Sequence, residues 1–110
     1  MTYHFEISNH PLKNGDYSIY LKVYHLGDRK RLITSIAVPL KDWDADKERV
    51  KKTNPAHKQH NEELTRLLDK ARTTERDLLH LDDLTMLKFL DRFQRKLQRT
   101  RTMVEQIVNF

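Results

Sequence analysis

No glycine occurs after Gly27 and no proline after Pro55. The second half of the chain therefore lacks, beyond Pro55, the two residues that most often interrupt a helix, and Leu, Glu, Asp, Arg and Lys dominate it. The first half holds both glycines and most of the β-branched and aromatic residues, the composition of strands joined by turns. A strand region followed by a helical region, dividing near Asn54, predicts an α+β fold.

Three strands follow from period-two alternation. Tyr3, Phe5 and Ile7 share one side against His4, Glu6 and Ser8. Tyr17, Ile19, Leu21 and Val23 share one side of the second strand, with Ser18, Tyr20, Lys22 and Tyr24 opposite. In the third, Leu32, Thr34, Ile36 and Val38 oppose Arg31, Ile33, Ser35 and Ala37. Lys13-Asn14-Gly15-Asp16 and His25-Leu26-Gly27-Asp28 are turn sequences, so the expected sheet is an antiparallel meander of three strands. Pro39 ends the third strand, and the following Lys41-Asp42-Trp43-Asp44 is expected to be a short turn that tucks Trp43 against the sheet edge. Lys47 to Lys52 is polar and reads as a mobile connector.

Asn54-Pro55 has the form of a helix N-cap followed by Pro at the first helical position. The helix it opens runs to about Leu81, with Leu64, Leu67, Leu68, Ala71, Leu78 and Leu79 as an apolar stripe that covers one sheet face. Asp82-Asp83 reads as the N-terminus of a second helix, Leu84 to Arg101, with Met86, Phe89, Leu90, Phe93 and Leu97 on a stripe of its own. Val104, Ile107 and Val108 continue that spacing with no stop signal, as in a chain cut short.

With 37% of its 110 residues apolar and 34% charged, the chain can bury only a modest core, anchored by nine aromatic side chains. The net charge of +5 favours acidic partners. The absence of cysteine excludes disulfides and Cys-ligated zinc, and no apolar run approaches the ~20 residues of a membrane span. The opening Met1-Thr2-Tyr3-His4-Phe5-Glu6 lacks a basic region followed by a long apolar run, so no signal peptide and a soluble, cytoplasmic protein are expected.

The outward sheet face is the informative surface. His4, Glu6, Ser18, Tyr20, Lys22, Tyr24, Arg31, Ile33 and Ser35 lie on it, with Arg29 and Lys30 at the adjoining hairpin. Cations and aromatics interleave there with a single acid. Such a face suits nucleic acid, because a sheet fits the ~12 Å major groove. It is equally the pattern of a solvated face whose tyrosines make cross-strand pairs. His57, His60 and Glu63 are spaced for one helical face, but a hydrophilic first turn explains them better than a metal site. No nucleophile elbow, triad or phosphate-cradling loop is present; two glycines cannot build one. Lys88, Arg92, Arg95, Lys96, Arg99 and Arg101 make the second helix basic, either as a solvated face or as a track for a phosphate backbone.

The runs Asn14-Gly15-Asp16-Tyr17-Ser18-Ile19-Tyr20-Leu21-Lys22-Val23 and Thr34-Ser35-Ile36-Ala37-Val38-Pro39-Leu40-Lys41-Asp42-Trp43-Asp44 resemble the N-terminal arm-binding domain of tyrosine recombinases, the integrases of conjugative transposons and prophages. That family has a Gly-x-Tyr-x-Ile-Tyr-Leu strand, a basic strand, a Thr-Gly-Ile-x-Val segment and a Lys-x-Trp-Asp turn. Ser35 departs from it, standing where the family usually has Gly. The likeness covers about residues 3–79, and Met86 to Phe93 looks like the opening helix of the core-binding domain that follows in such enzymes.

The resemblance implies residues 1–81 as an arm-type module and residues 82–110 as the start of a truncated helical domain. It implies a non-catalytic piece of a larger recombinase, whose partners are double-stranded DNA and other recombinase protomers. No cofactor, metal or membrane is expected. The DNA contacts would come from Lys13, Tyr20, Lys22, Tyr24, Arg29, Lys30 and Arg31. Two rivals are a protein-interaction module using the Met86 to Leu97 stripe and a single-strand binder stacking bases on Tyr20 and Tyr24.

Overall fold

The computed structural model describes residues 1–94. Strands β1 (Thr2–Ile7), β2 (Tyr17–His25) and β3 (Asp28–Val38) form an antiparallel sheet in the order β1-β2-β3. A 3₁₀ turn at Leu40–Asp42 leads into β4 (Trp43–Asp44), which pairs with β5 (Arg49–Val50) in a second, two-stranded sheet. Helix α1 spans His57–His80, and a further helix, α2, runs over residues 86–94 of the described chain. The expected α+β class and meander are present.

The chain divides into two compact units, Met1–Leu68 and Asp69–Phe110. In the first, Phe5, Ile19, Leu21, Val23, Ile36 and Val38 are buried on one sheet face, as alternation requires. Trp43, Val50, Leu64 and Leu67 complete its apolar interior. Gly27 (φ 86°) and Leu26 (φ 49°) make the two-residue β2–β3 turn, and both positive φ values match the type I′ hairpin that follows strand twist. Leu26 lacks the freedom of glycine and is 91% exposed, so it holds that conformation without burial in return.

One irregularity interrupts β3. Ser18 faces Ala37 and Tyr20 faces Ile33, so Ile19 alone stands opposite Thr34, Ser35 and Ile36. The Thr34 hydroxyl fills the gap in the ladder: it donates to the Ile19 carbonyl at 2.8 Å and accepts the Ile36 N–H at 3.1 Å. Ser35 sits in this bulge and is not among the residues of positive φ, so a side chain is accommodated where the related family usually has Gly.

Residues 47–52 are not a connector. Arg49 and Val50 are in a strand, and the Asn61 side chain closes on Val50 from α1: Oδ1 accepts the Val50 N–H at 2.8 Å and Nδ2 donates to its carbonyl at 3.1 Å. Glu48, at φ 55°, turns its carboxylate onto the edge strand, where Oε1 accepts the Phe5 N–H at 2.7 Å and Oε2 meets His4 Nδ1 at 3.0 Å. Asn54 caps the turn that leads into α1, its Oδ1 accepting the Ala56 N–H at 2.9 Å. Helix α1 itself begins at His57, so Pro55 lies in that turn and not at the first helical position. Asn54 Nδ2 and the Thr53 hydroxyl both donate to Asp42, which is thereby satisfied although buried.

In the second unit Ala71, Thr74 and Leu78 carry the buried side of α1 onward from Leu64 and Leu67. Their steps alternate between three and four residues. Thr74 fits that row because its hydroxyl donates to the Lys70 carbonyl at 2.8 Å, leaving no polar atom unpaired. Leu79, expected on the stripe, lies about 100° around the helix from Leu78 and is exposed.

Asp82-Asp83 does not begin a helix. Asp82 (φ 53°) ends α1 in a Schellman arrangement, with the Asp82 N–H on the Leu79 carbonyl at 3.0 Å and the Asp83 N–H on the Leu78 carbonyl at 2.9 Å. Thr85 caps α2 instead, its Oγ1 accepting the Lys88 N–H at 3.1 Å. Met86, Phe89 and Phe93 are buried, with the two phenylalanine rings stacked 5.6 Å apart. Leu97, Arg95, Lys96, Arg99 and Arg101 lie outside the described residues.

Candidate functional site

Antiparallel register sets outward side chains in rows across β1, β2 and β3. One row is Thr2, Tyr24 and Arg29; the next is His4, Lys22 and Arg31; the third is Glu6, Tyr20 and Ile33. Two cations therefore sit beside the one carboxylate of the face. Glu6 divides its oxygens between them, Oε1 lying 2.9 Å from Arg31 Nε and Oε2 3.3 Å from Lys22 Nζ.

The aromatics pack under the same cations. The Arg31 guanidinium carbon stands 4.3 Å from the centre of the Tyr20 ring, and Lys22 Nζ stands 5.6 Å from that of Tyr24. His4 meets Tyr24 edge-on at 6.1 Å. The Tyr24 phenol, and then the Glu6 carboxylate, hold the Lys22 ammonium above the ordinary lysine range, so it stays charged near neutral pH. An open cleft of about 530 Å³ follows this surface, lined by Glu6, Ile7, Asn9, Lys22, Arg29, Lys30 and Arg31.

Tyr20, Lys22, Tyr24, Arg29 and Arg31 are thus brought together on one face. Lys30 pairs with Val23, whose side chain is in the core, and so belongs by alternation to the other face, although it reaches the rim of the cleft. Lys13 is exposed on the turn between β1 and β2, at the end of the sheet opposite Arg29. Two residues of the face carry more than their composition suggested. Glu6 links both cations, and Ile33 is 69% exposed in the middle of a polar surface. Strand register would have exposed both, since it puts Glu6, Tyr20 and Ile33 in one row.

The face offers fixed cations, hydroxyls and one carboxylate, an arrangement for polar recognition. Among the described residues no three His, Asp or Glu side chains are placed to hold a metal ion, and His57 Nδ1 instead lies 3.0 Å from the Asn54 carbonyl at the start of α1. None of the described helices is long and apolar enough to cross a membrane. The stripe of Met86, Phe89 and Phe93 is not an open surface for a partner, because all three side chains are buried.

Residues 7–91 match the family described as the arm DNA-binding domain. The match takes in all of β2 to α1 and part of α2. No curated protein and no solved structure matches the chain.

Proposed function

From the premise that the chain belongs to the arm DNA-binding domain family, a non-catalytic module that binds DNA, we propose that it docks the outer face of its three-stranded sheet into the major groove of duplex DNA. It would do so as the arm-site module of a site-specific recombinase, an integrase of the tyrosine type borne by a mobile element. The catalytic residues of such an enzyme would lie elsewhere in a longer protein, and other protomers would be engaged at neighbouring sites.

One observation carries the reading. Lys22, Arg29 and Arg31 converge with Tyr20 and Tyr24 on a face to which the strands contribute a single acid, Glu6, with Glu48 at the edge beside His4, and two of those cations stand over aromatic rings. Cations held in place lose less freedom on meeting phosphates and base edges. The occupied ring faces favour duplex over single strands, because Arg31 already covers one side of Tyr20 and Lys22 approaches Tyr24.

Titration of the full chain with duplex DNA at two salt concentrations tests this. Phosphate contacts give a slope of about −0.9 in log K against log salt for each phosphate neutralised. Tyr20→Ala with Lys22→Ala should leave the fold intact and weaken duplex binding, by ~1–3 kcal/mol for each base or phosphate interaction removed. Unchanged affinity in the folded double variant, or a preference for unpaired strands, would refute the proposed face.

A further inference from the structure

The guanidinium of Arg31 is held on two sides. Its Nε forms an ion pair with Glu6 Oε1 at 2.9 Å, and its central carbon stands 4.3 Å from the centre of the Tyr20 ring. Among the described residues its terminal Nη1 and Nη2 donate no hydrogen bond, and its side chain is 49% exposed. The side chain is therefore fixed at its inner edge and free at its outer one, the pair of parallel N–H donors. Its neighbour Lys22 is different, a single point charge on the same carboxylate whose side chain is 22% exposed.

A planar fork with its outer pair of donors free matches one base edge in the major groove. Guanine presents O6 and N7 side by side, and Arg meets both at once; adenine and thymine each put only one acceptor there, and cytosine presents a donor. Resting on the reading that this face enters the major groove, we infer that Arg31 is the guanine-reading residue of the sheet, and that Glu6 and Tyr20 are its positioning residues. Glu6 then has a double effect. It fixes the fork, which sharpens base choice, and it places a negative charge among the cations, which weakens attraction to phosphates of any sequence. A carboxylate at the centre of a DNA-facing surface raises discrimination at the expense of general affinity.

Selection of the full-length chain on a pool of randomised duplexes, read by sequencing, tests the inference in three variants. Arg31→Lys keeps the charge and removes the fork. It should leave the salt dependence unchanged while preference for guanine at one position falls by roughly 5- to 150-fold, the range of one bidentate pair. Glu6→Ala should relax the same guanine preference and tighten binding to random duplex, whereas Glu6→Gln, which keeps an acceptor for Nε, should retain part of the preference. A residue that only supported the fold would weaken both kinds of binding together. If Arg31→Lys loses affinity equally for all sequences, Arg31 is a phosphate contact and the inference is wrong. If the wild-type chain binds duplex with no base preference, the guanine reading fails and the DNA-binding face stands. If it binds no duplex at all, both fail.

Discussion

Asn61 and Val50 are paired as two strands would be: one side-chain amide accepts the Val50 N–H at 2.8 Å and donates to the Val50 carbonyl at 3.1 Å. A helix side chain thus completes the outer side of β5, whose Val50 is buried. Asn61→Ala would strand both backbone groups, each at a cost of roughly 1–3 kcal/mol, so a loss of about 2–6 kcal/mol is expected in chemical denaturation. Asn61→Asp keeps the acceptor and should preserve slow hydrogen exchange at the Val50 amide. If Asn61→Ala is as stable as the parent, water replaces the amide and the pairing contributes little.

Trp43 is buried at the start of β4. Trp43→Ala should cost ~3–5 kcal/mol, as large core truncations do, and a domain of this size could be largely unfolded by it. The native chain should show the blue-shifted emission of shielded indole. Emission typical of exposed indole would contradict the burial.

Leu26 occupies a left-handed conformation with no packing to support it. Leu26→Asn should raise stability by about 0.5–1 kcal/mol, because Asn enters that region at lower cost and the exposed side chain loses nothing. A thermal melt that moves down would mean that the leucine makes contacts this geometry does not reveal.

Asp82 holds the same type of conformation at the end of α1. Stability should rank Asp82→Gly above the parent and the parent above Asp82→Ala, over a spread of about 1 kcal/mol. Equal melting temperatures for the three would show that the Schellman turn frays in solution.

Alternation in β2 and β3 makes the sheet, its buried side and most of the outward face readable, because a two-residue period leaves few alternatives once Gly27 and Gly15 mark the turns. The β4–β5 hairpin is hidden. Strands of two residues carry no alternation, and what holds this one is an asparagine from a helix and the buried Trp43 and Val50. Thr74 looks too polar for a core position, although its hydroxyl is satisfied within its own helix. The α1 terminus is obscured because Asp82, not Gly, takes the left-handed position. In the candidate site, composition supplies the cations and the alternation of Arg29, Lys30 and Arg31 sends Lys30 to the other face, but only register makes Glu6 the common partner of Lys22 and Arg31.

The bulge in β3 bears on how the length of this strand can change over evolution. Three residues there face one, an excess of two, so side chains beyond it keep the sidedness of those before it. Removal of a residue pair would restore a plain ladder with Ile36 and Val38 still inward. A single insertion or deletion would instead turn Ile36 and Val38 to solvent and Ala37 to the interior. Related chains should therefore differ here by even steps, and an odd step should appear only with a compensating change before Pro39.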